Sequence, residues 1–508
     1  MARLALISLH DTTGLVDDAR RLIGAGFTLL ASRESSSLIA AAGLPVIDLA
    51  DYTALTEDFG FPPTLHPKLE RALTARPADL AEPAIELAYI NPYPADVGND
   101  VGGRTILMLA VKGQRLAASS RADLHRVLAC LETGGDLPAL RRQLADAACF
   151  SVARHFAGLI SPDAPFATSF GEAWLDLAEG ENPYQRPAVA YRSSDPDPLA
   201  LSRFRLLGSQ PPCFTNAADA DAILHHLCLL AEGFEKNTGT VPWLCIAAKH
   251  GNACGIGVSR HAPREAIDRA LAGNPRAIWG GEVIVNFPID GELAAALFAS
   301  DEREVRLGSR HWMLDVVMAP AFTAEAAELL GRREFRKLLA NPALAAARLP
   351  HGRRMLRPVR GGALGQPVAD YVLELAACAG NARFDEAAVT DLLIAWSAAY
   401  SSNHGGNEVA LARGGMLLAA GGGPSTVDAA RSAVTRCAEQ GHDATGAAFA
   451  ADAFFPFTDA PQIVADAGAR CGAVPDGSRN DDTVKAFFRE RHIAVAWIPA
   501  AFRGFCRH

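Results

Sequence analysis

The feature that most constrains this fold is an alternation of strand and helix patterns through the first 120 residues. "RLALISL" (Arg3 to Leu9) reads as a strand, and "GLVDDARRLIGAG" as an amphipathic helix closed by Gly24 and Gly26. "FTLLAS", "SSSLIAAAG" and "LPVIDLA" repeat the sequence strand, helix, strand. "IELAYINPYP" is a further strand, and "RTILMLAVKGQRLAASS" a short helix leading into another. Short connections between parallel strands force right-handed crossovers, so the segment is predicted to be a doubly wound parallel sheet. Ligands of such sheets bind at the carboxyl ends of the strands. "SLHDTTG", "ASRESSS" and "NPYPADVGNDVGG" therefore belong around one mouth.

With 508 residues, the chain exceeds what one core organises. Texture changes near "SPDAPFATSF" and "RSSDPDPLALS", which are rich in Pro, Ser and Asp. We expect a first domain over 1–150, a connection over 151–200, and two comparable α/β lobes over 201–385 and 386–508. No clean repeat relates the two lobes at sequence level. A net charge of −9 argues against a nucleic-acid partner, because phosphate-tracking surfaces are basic. No apolar run is long enough to span a membrane. The N-terminal run reads as a first strand rather than a signal peptide. None of the ten cysteines forms a C-x-x-C pair, so reduced thiols in a cytoplasmic protein are expected, and no metal site.

Chemistry concentrates in "PWLCIAAKHGNACGIGV", Pro242 to Val258, where Lys249 and His250 interrupt an apolar strand at its end. Two readings stand. His250 can be a satisfied histidine with Lys249 in solvent. Alternatively, His250 is a general base beside a cation that favours anionic transition states. Histidine suits that role because it titrates near neutrality, and an adjacent ammonium disfavours a second positive charge. "LAEGENPYQ", "ADAFFPF" and "PDGSRND" read singly as turns and core packing.

Taken in order, these pieces resemble the bifunctional AICAR formyltransferase/IMP cyclohydrolase family (AICAR is aminoimidazole carboxamide ribonucleotide). The resemblance runs nearly end to end through "DTTGLVD", "TLHPK", "NPYP", "DVGG", "GENPYQ", "KHGNACGIGV", "NPRAIWGG", "VVMAP", "GGGPSTVDAAR", "ADAFFPF" and "PDGSRNDD". It implies a methylglyoxal-synthase-like first domain, two cytidine-deaminase-like lobes, and formyl transfer from 10-formyltetrahydrofolate to the AICAR amine in purine biosynthesis. By resemblance His250 is the base, Lys249 stabilises developing charge, and Asn407 completes the catalytic set. Asn216, Asp315, Asp452, Phe454, Phe455, Phe457 and Arg503 would contact acceptor or folate. Tyr93, Asp100 and Lys112 match the cyclohydrolase set. The resemblance also implies a homodimer acting on small molecules.

The chain departs from the family where phosphate is held. Thr12 and Pro63 stand where the family has lysines, and "ASRESSS" replaces a glycine-rich cradle. Ala178 and Glu179 replace an Arg and a Tyr, Thr426 another Arg, and Gly423 a Gln. Formyl transfer with altered phosphate recognition, and doubtful ring closure, is the reading these losses give. The alternative is a catalytically retired paralogue that binds a ligand for regulation.

Overall fold

A computed structural model describes residues 3–55, 63–161, 164, 171–193, 196–380 and 383–504. The chain forms two compact units that divide between residues 170 and 171. Most of "SPDAPFATSF" lies outside the described residues.

In the first unit the strands are β1 (Arg3–Leu9), β2 (Phe27–Ala31), β3 (Ile47–Asp48), β4 (Ile85–Asn91) and β5 (Leu116–Ala118). They form one sheet in the order β3-β2-β1-β4-β5, all parallel. Successive residues of β1 enter different cores: Ala5 and Ile7 pack with Leu29 and Leu87, while Leu4 and Leu6 pack with Leu30 and Ile106. Both faces are therefore covered, as an all-parallel sheet requires. The order reverses between β1 and β4, so the switch-point crevice opens beyond Leu9 and Asn91. The helix Leu137–Gly158 runs through the boundary expected at residue 150.

In the second unit β6 (Glu172–Asp176) and β7 (Val189–Arg192) pair as a separate hairpin, as do β14 (Arg354–Val359) and β15 (Gly362–Pro367). The other strands are β8 (Arg205–Leu207), β9 (Trp243–Lys249), β10 (Asn252–Ser259), β11 (Gly281–Val285), β12 (Leu314–Ala319) and β13 (Lys337–Ala340). They continue with β16 (Asn407–Arg413), β17 (Met416–Gly423), β18 (Ala448–Ala451), β19 (Cys471–Pro475) and β20 (Ala494–Ile498).

These strands reveal a repeat invisible in the sequence. A long helix, Phe214–Thr238, precedes the β9–β10 hairpin, after which helices alternate with β11, β12 and β13. The helix Glu386–Ser401 likewise precedes the β16–β17 hairpin, and helices alternate with β18, β19 and β20. The two copies share one eleven-stranded sheet, β20-β19-β18-β16-β17-β10-β9-β11-β12-β13-β8. They join through β10 and β17, where Gly257 faces Met416. Residues 201–385 and 386–508, read from the sequence as two lobes, supply the two halves of this one sheet.

One face of this sheet is covered by a core common to both halves, which includes Phe234 and Leu227 of the first long helix and Trp396 and Leu393 of the second. The opposite face carries one core per half, around Phe287 and Ile267 in the first and Phe449 and Phe488 in the second. Among the described residues no helix is long and apolar enough to cross a membrane.

Candidate active site

Each half-sheet begins with a two-residue hairpin. In the second half Arg413 pairs with Met416, leaving Gly414 and Gly415 as the turn at φ 64° and 76°. In the first half Lys249 pairs with Asn252, and the turn is His250 and Gly251 at φ 52° and 66°. Left-handed backbone at both positions is what a type I′ connection requires. Glycine adopts it freely, whereas a histidine there is strained. Equivalent turns thus carry glycine in one half and a strained imidazole in the other.

The Nζ of Lys249 donates to the carbonyl of Gly280. Gly280 has φ 65°, and a Cβ there would lie 3.0 Å from that Nζ, so this corner accepts only glycine. Asp315 lies 3.9 Å from the same point, and Glu282 and Asp219 are close enough to interact electrostatically. Asn216 hydrogen-bonds Glu282. The structure therefore brings Lys249, Asn216 and Asp315 together around Glu282, which the sequence reading missed.

Glu282 is 1% exposed and its Oε2 has no partner among the described residues. Burial, reinforced by Asp219, pushes its carboxyl up to about 8, against the opposing pull of Lys249. Asp452 is pushed up to about 7, again chiefly by burial. Both acids are more basic folded than unfolded, so the stability they confer is present below their unfolded values and lost as pH rises through the folded ones. Urea unfolding should accordingly show stability falling between about pH 5 and about pH 8, with a slope of up to about 1.4 kcal/mol per pH unit per group. Glu282→Gln should flatten that slope; an unchanged slope contradicts the assignment.

His250 faces a cavity of about 310 Å³ lined also by Lys249, Asn252, Cys254, His404 and Arg436. Burial raises the Cys254 thiol to about 12, which makes it a poor nucleophile. Arg436 reaches in from the helix Thr426–Glu439, its Nη1 donating to Ala420 O at 2.8 Å. The Oδ1 of Asn252 accepts from the amide of Asn403 at 2.8 Å, tying the turn to the chain preceding β16. In that segment His404 Nδ1 lies 2.8 Å from Oε2 of Glu408, a fully buried residue. Asp452 Oδ1 accepts from the Glu408 amide at 2.8 Å, connecting "DAFFPF" to the same network.

The remaining expected residues divide. Asn407 opens β16, but its amide donates to the carbonyls of Gly423 and Pro424 at 3.5 and 3.3 Å, so Asn403 is the asparagine tied to the His250 turn through Asn252. Phe455, expected at the ligand, is 1% exposed and packs with Phe449 and Phe488 in the core. Phe457 is 63% exposed. Phe454 lies under Arg503, whose guanidinium carbon is 5.5 Å from the ring centre. Arg503 also lines a separate 810 Å³ cavity with Tyr371 and Phe502. Two accessible aromatics, a cation and an acid titrating near neutrality suit a flat heteroaromatic ligand with N–H and C=O edges.

In the first unit Tyr93 and Asp100 meet at the switch-point mouth, but Asp100 is engaged structurally. It caps the helix Val101–Lys112 by accepting from Gly103 N at 2.6 Å and also accepts from Tyr93 N at 3.3 Å. Buried Arg104 donates to Tyr93 O at 2.9 Å and lies 2.7 Å from His155 Nδ1. Lys112 is not brought to this group. It ends the helix that Asp100 begins, about 18 Å along the axis at 1.5 Å per residue. "ASRESSS" starts the helix Arg33–Ala41, where Ser36 Oγ is bonded to Asp48. A carboxylate thus stands near a helix N-terminus that would otherwise attract an anion.

Comparisons with known proteins agree in direction. A family model described as "AICARFT/IMPCHase bienzyme" matches residues 117–436. The "Bifunctional purine biosynthesis protein PurH" of Neisseria gonorrhoeae is 30% identical over 541 residues, covering 97% of each chain. Its namesake in Neisseria meningitidis is 30% identical over 540 residues, with the same coverage. A solved structure titled "Crystal structure of ForH" is 25% identical and covers 31% of this chain and 96% of its own, with a TM-score of 0.27, too low to argue from.

Proposed function

This chain belongs to the AICAR formyltransferase/IMP cyclohydrolase family, and from that premise we propose that its formyl transfer takes place at the β9–β10 turn. The chain is an enzyme of purine biosynthesis acting on small molecules. The observation carrying the placement is His250, held in a left-handed turn and facing a cavity beside Lys249.

The acceptor amine is conjugated to an aromatic ring and is a weak nucleophile. The His250 imidazole takes its proton as the new bond forms, a contribution typical of positioned bases. Lys249, oriented by Gly280 O, places positive charge where negative charge develops. 10-Formyltetrahydrofolate, when bound, supplies the formyl group. Asp452, Phe454 and Phe457 are the residues fitted to hold it, and Phe455 supports them from the core. By resemblance a homodimer is the working state, testable by light scattering.

Phosphate recognition differs from the family pattern. Ala178 and Thr426 supply no cation, and Glu179 is paired with Arg186 at 3.0 Å. Ser425 already caps the helix Thr426–Glu439 by accepting from Asp428 N at 3.1 Å. Each missing charge-assisted bond is worth about 1.5–3 kcal/mol. We therefore expect AICAR and its dephosphorylated riboside to differ by less than about tenfold in kcat/KM, corresponding to about 1.4 kcal/mol. A preference for AICAR above about a hundredfold, some 2.8 kcal/mol, contradicts altered phosphate recognition. Ring closure by the first unit should be slow, because Lys112 is distant from Asp100 and Thr12 and Pro63 supply no cation.

A further inference from the structure

The segment before β16 departs in length from the family motif. "SSNHGGNEV" holds a two-residue slip, and His404 and Glu408 lie within it. Neither belongs to the set carried over by resemblance. Yet His404 lines the same cavity as His250 and Arg436.

Glu408 is fully buried, and both of its carboxylate oxygens serve His404. Oε2 lies 2.8 Å from the ring Nδ1, and Oε1 accepts from the His404 backbone amide. The carboxylate is fixed in turn because its own backbone N–H donates to Asp452 Oδ1. A Cβ at Gly422 would lie 2.3 Å from Glu408 Oε1 and 2.7 Å from the His404 Cβ, so β17 leaves just enough room for the pair. A histidine held through Nδ1 by a carboxylate has one tautomer and one orientation, and its Nε2 remains free to exchange a proton.

We propose that His404, positioned by Glu408, is the proton donor of the formyl transfer, an inference that rests on the assignment of the reaction to this cavity. The bond from the acceptor nitrogen to the formyl carbon forms as His250 takes the amine proton. The bond from that carbon to the folate nitrogen breaks, and His404 Nε2 supplies the proton this nitrogen needs. One proton is taken and one returned, with no oxidant or reductant. Glu408 provides the counter-charge while the His404 ring carries two protons. The other ionisable groups at the cavity are Lys249 and His250 at the β9–β10 turn, the Cys254 thiol on β10 and Arg436 on the helix Thr426–Glu439, with Asp452 behind Glu408.

Three measurements on the full-length protein test this. His404→Gln should lower kcat for AICAR by about a hundredfold or more while KM shifts less than about threefold. Free imidazole should restore His404→Ala at least about tenfold, since it replaces the lost proton carrier. On the wild-type protein, diethylpyrocarbonate labelling of His404, followed by peptide mass spectrometry, should slow on saturation with AICAR; this readout requires no turnover and no folded variant. Unprotected labelling, or a lowered kcat without imidazole rescue, leaves His404 a loop clamp and overturns the proposal. His250→Asn separates the two levels. If it abolishes transfer while His404→Gln does not, only this inference fails; if it leaves transfer intact, the site assignment fails.

Discussion

Replacing His250 by Asn should lower kcat for formyl transfer by about 10²–10⁴-fold, the contribution typical of a positioned general base. Asn is a better test than Ala. The residue sits at φ 52°, where a non-glycine side chain costs roughly 1–2 kcal/mol, a cost asparagine largely escapes through local hydrogen bonding. His250→Ala therefore mixes turn strain with lost chemistry, while His250→Asn isolates the imidazole. Urea unfolding of His250→Asn should stay within about 0.5 kcal/mol of wild type. A comparable fall in stability would trace the lost rate to the hairpin instead of the ring.

The second large effect separates two phenylalanines two positions apart in "DAFFPF". Phe455 is 1% exposed and packs with Phe449 and Phe488, so Phe455→Ala removes a full ring from a closed core. It should cost about 3–5 kcal/mol, read as a lower urea midpoint. Phe457 is 63% exposed, and Phe457→Ala should change stability by less than about 0.5 kcal/mol while weakening binding of a reduced folate. Equal stability losses would mean that the exposed ring is part of the packing. Equal losses of folate affinity, with stability unchanged, would place Phe455 against the ligand after all.

Much of the first unit was legible because its central strands are apolar on both faces and helices such as the one after β1 are amphipathic, as in "RLALISL" and "GLVDDARRLIGAG". Local pattern sufficed there. The repeat in the second unit was not legible, since it is carried by element order and by the β10–β17 junction, while the residues filling the equivalent positions differ. His250–Gly251 and Gly414–Gly415 illustrate this: the same turn geometry recurs with only the glycine at its second position in common.

Lys249, Asn216 and Asp315 come together in the fold, but Glu282 at their centre was unreadable. In "GGEVIVNF" it looks like a polar face of a strand, and only the pairing of Glu282 with Ala248 across β9 reveals it as buried. Glu408 was hidden for the same reason, because its burial follows from the β16–β17 register. The bond from the Asn403 amide to Asn252, beside the His250 turn, was equally unreadable, because it joins residues 151 positions apart in the chain.

The central claim is that the acceptor amine docks against His250 in the cavity beside the β9–β10 turn. A crystal structure of the wild-type protein soaked with AICAR tests it most directly. The account predicts the exocyclic amine within about 3 Å of a ring nitrogen of His250, with Lys249 on the same side. A nucleotide seated elsewhere, with its amine beyond the reach of that imidazole even through one water, contradicts it.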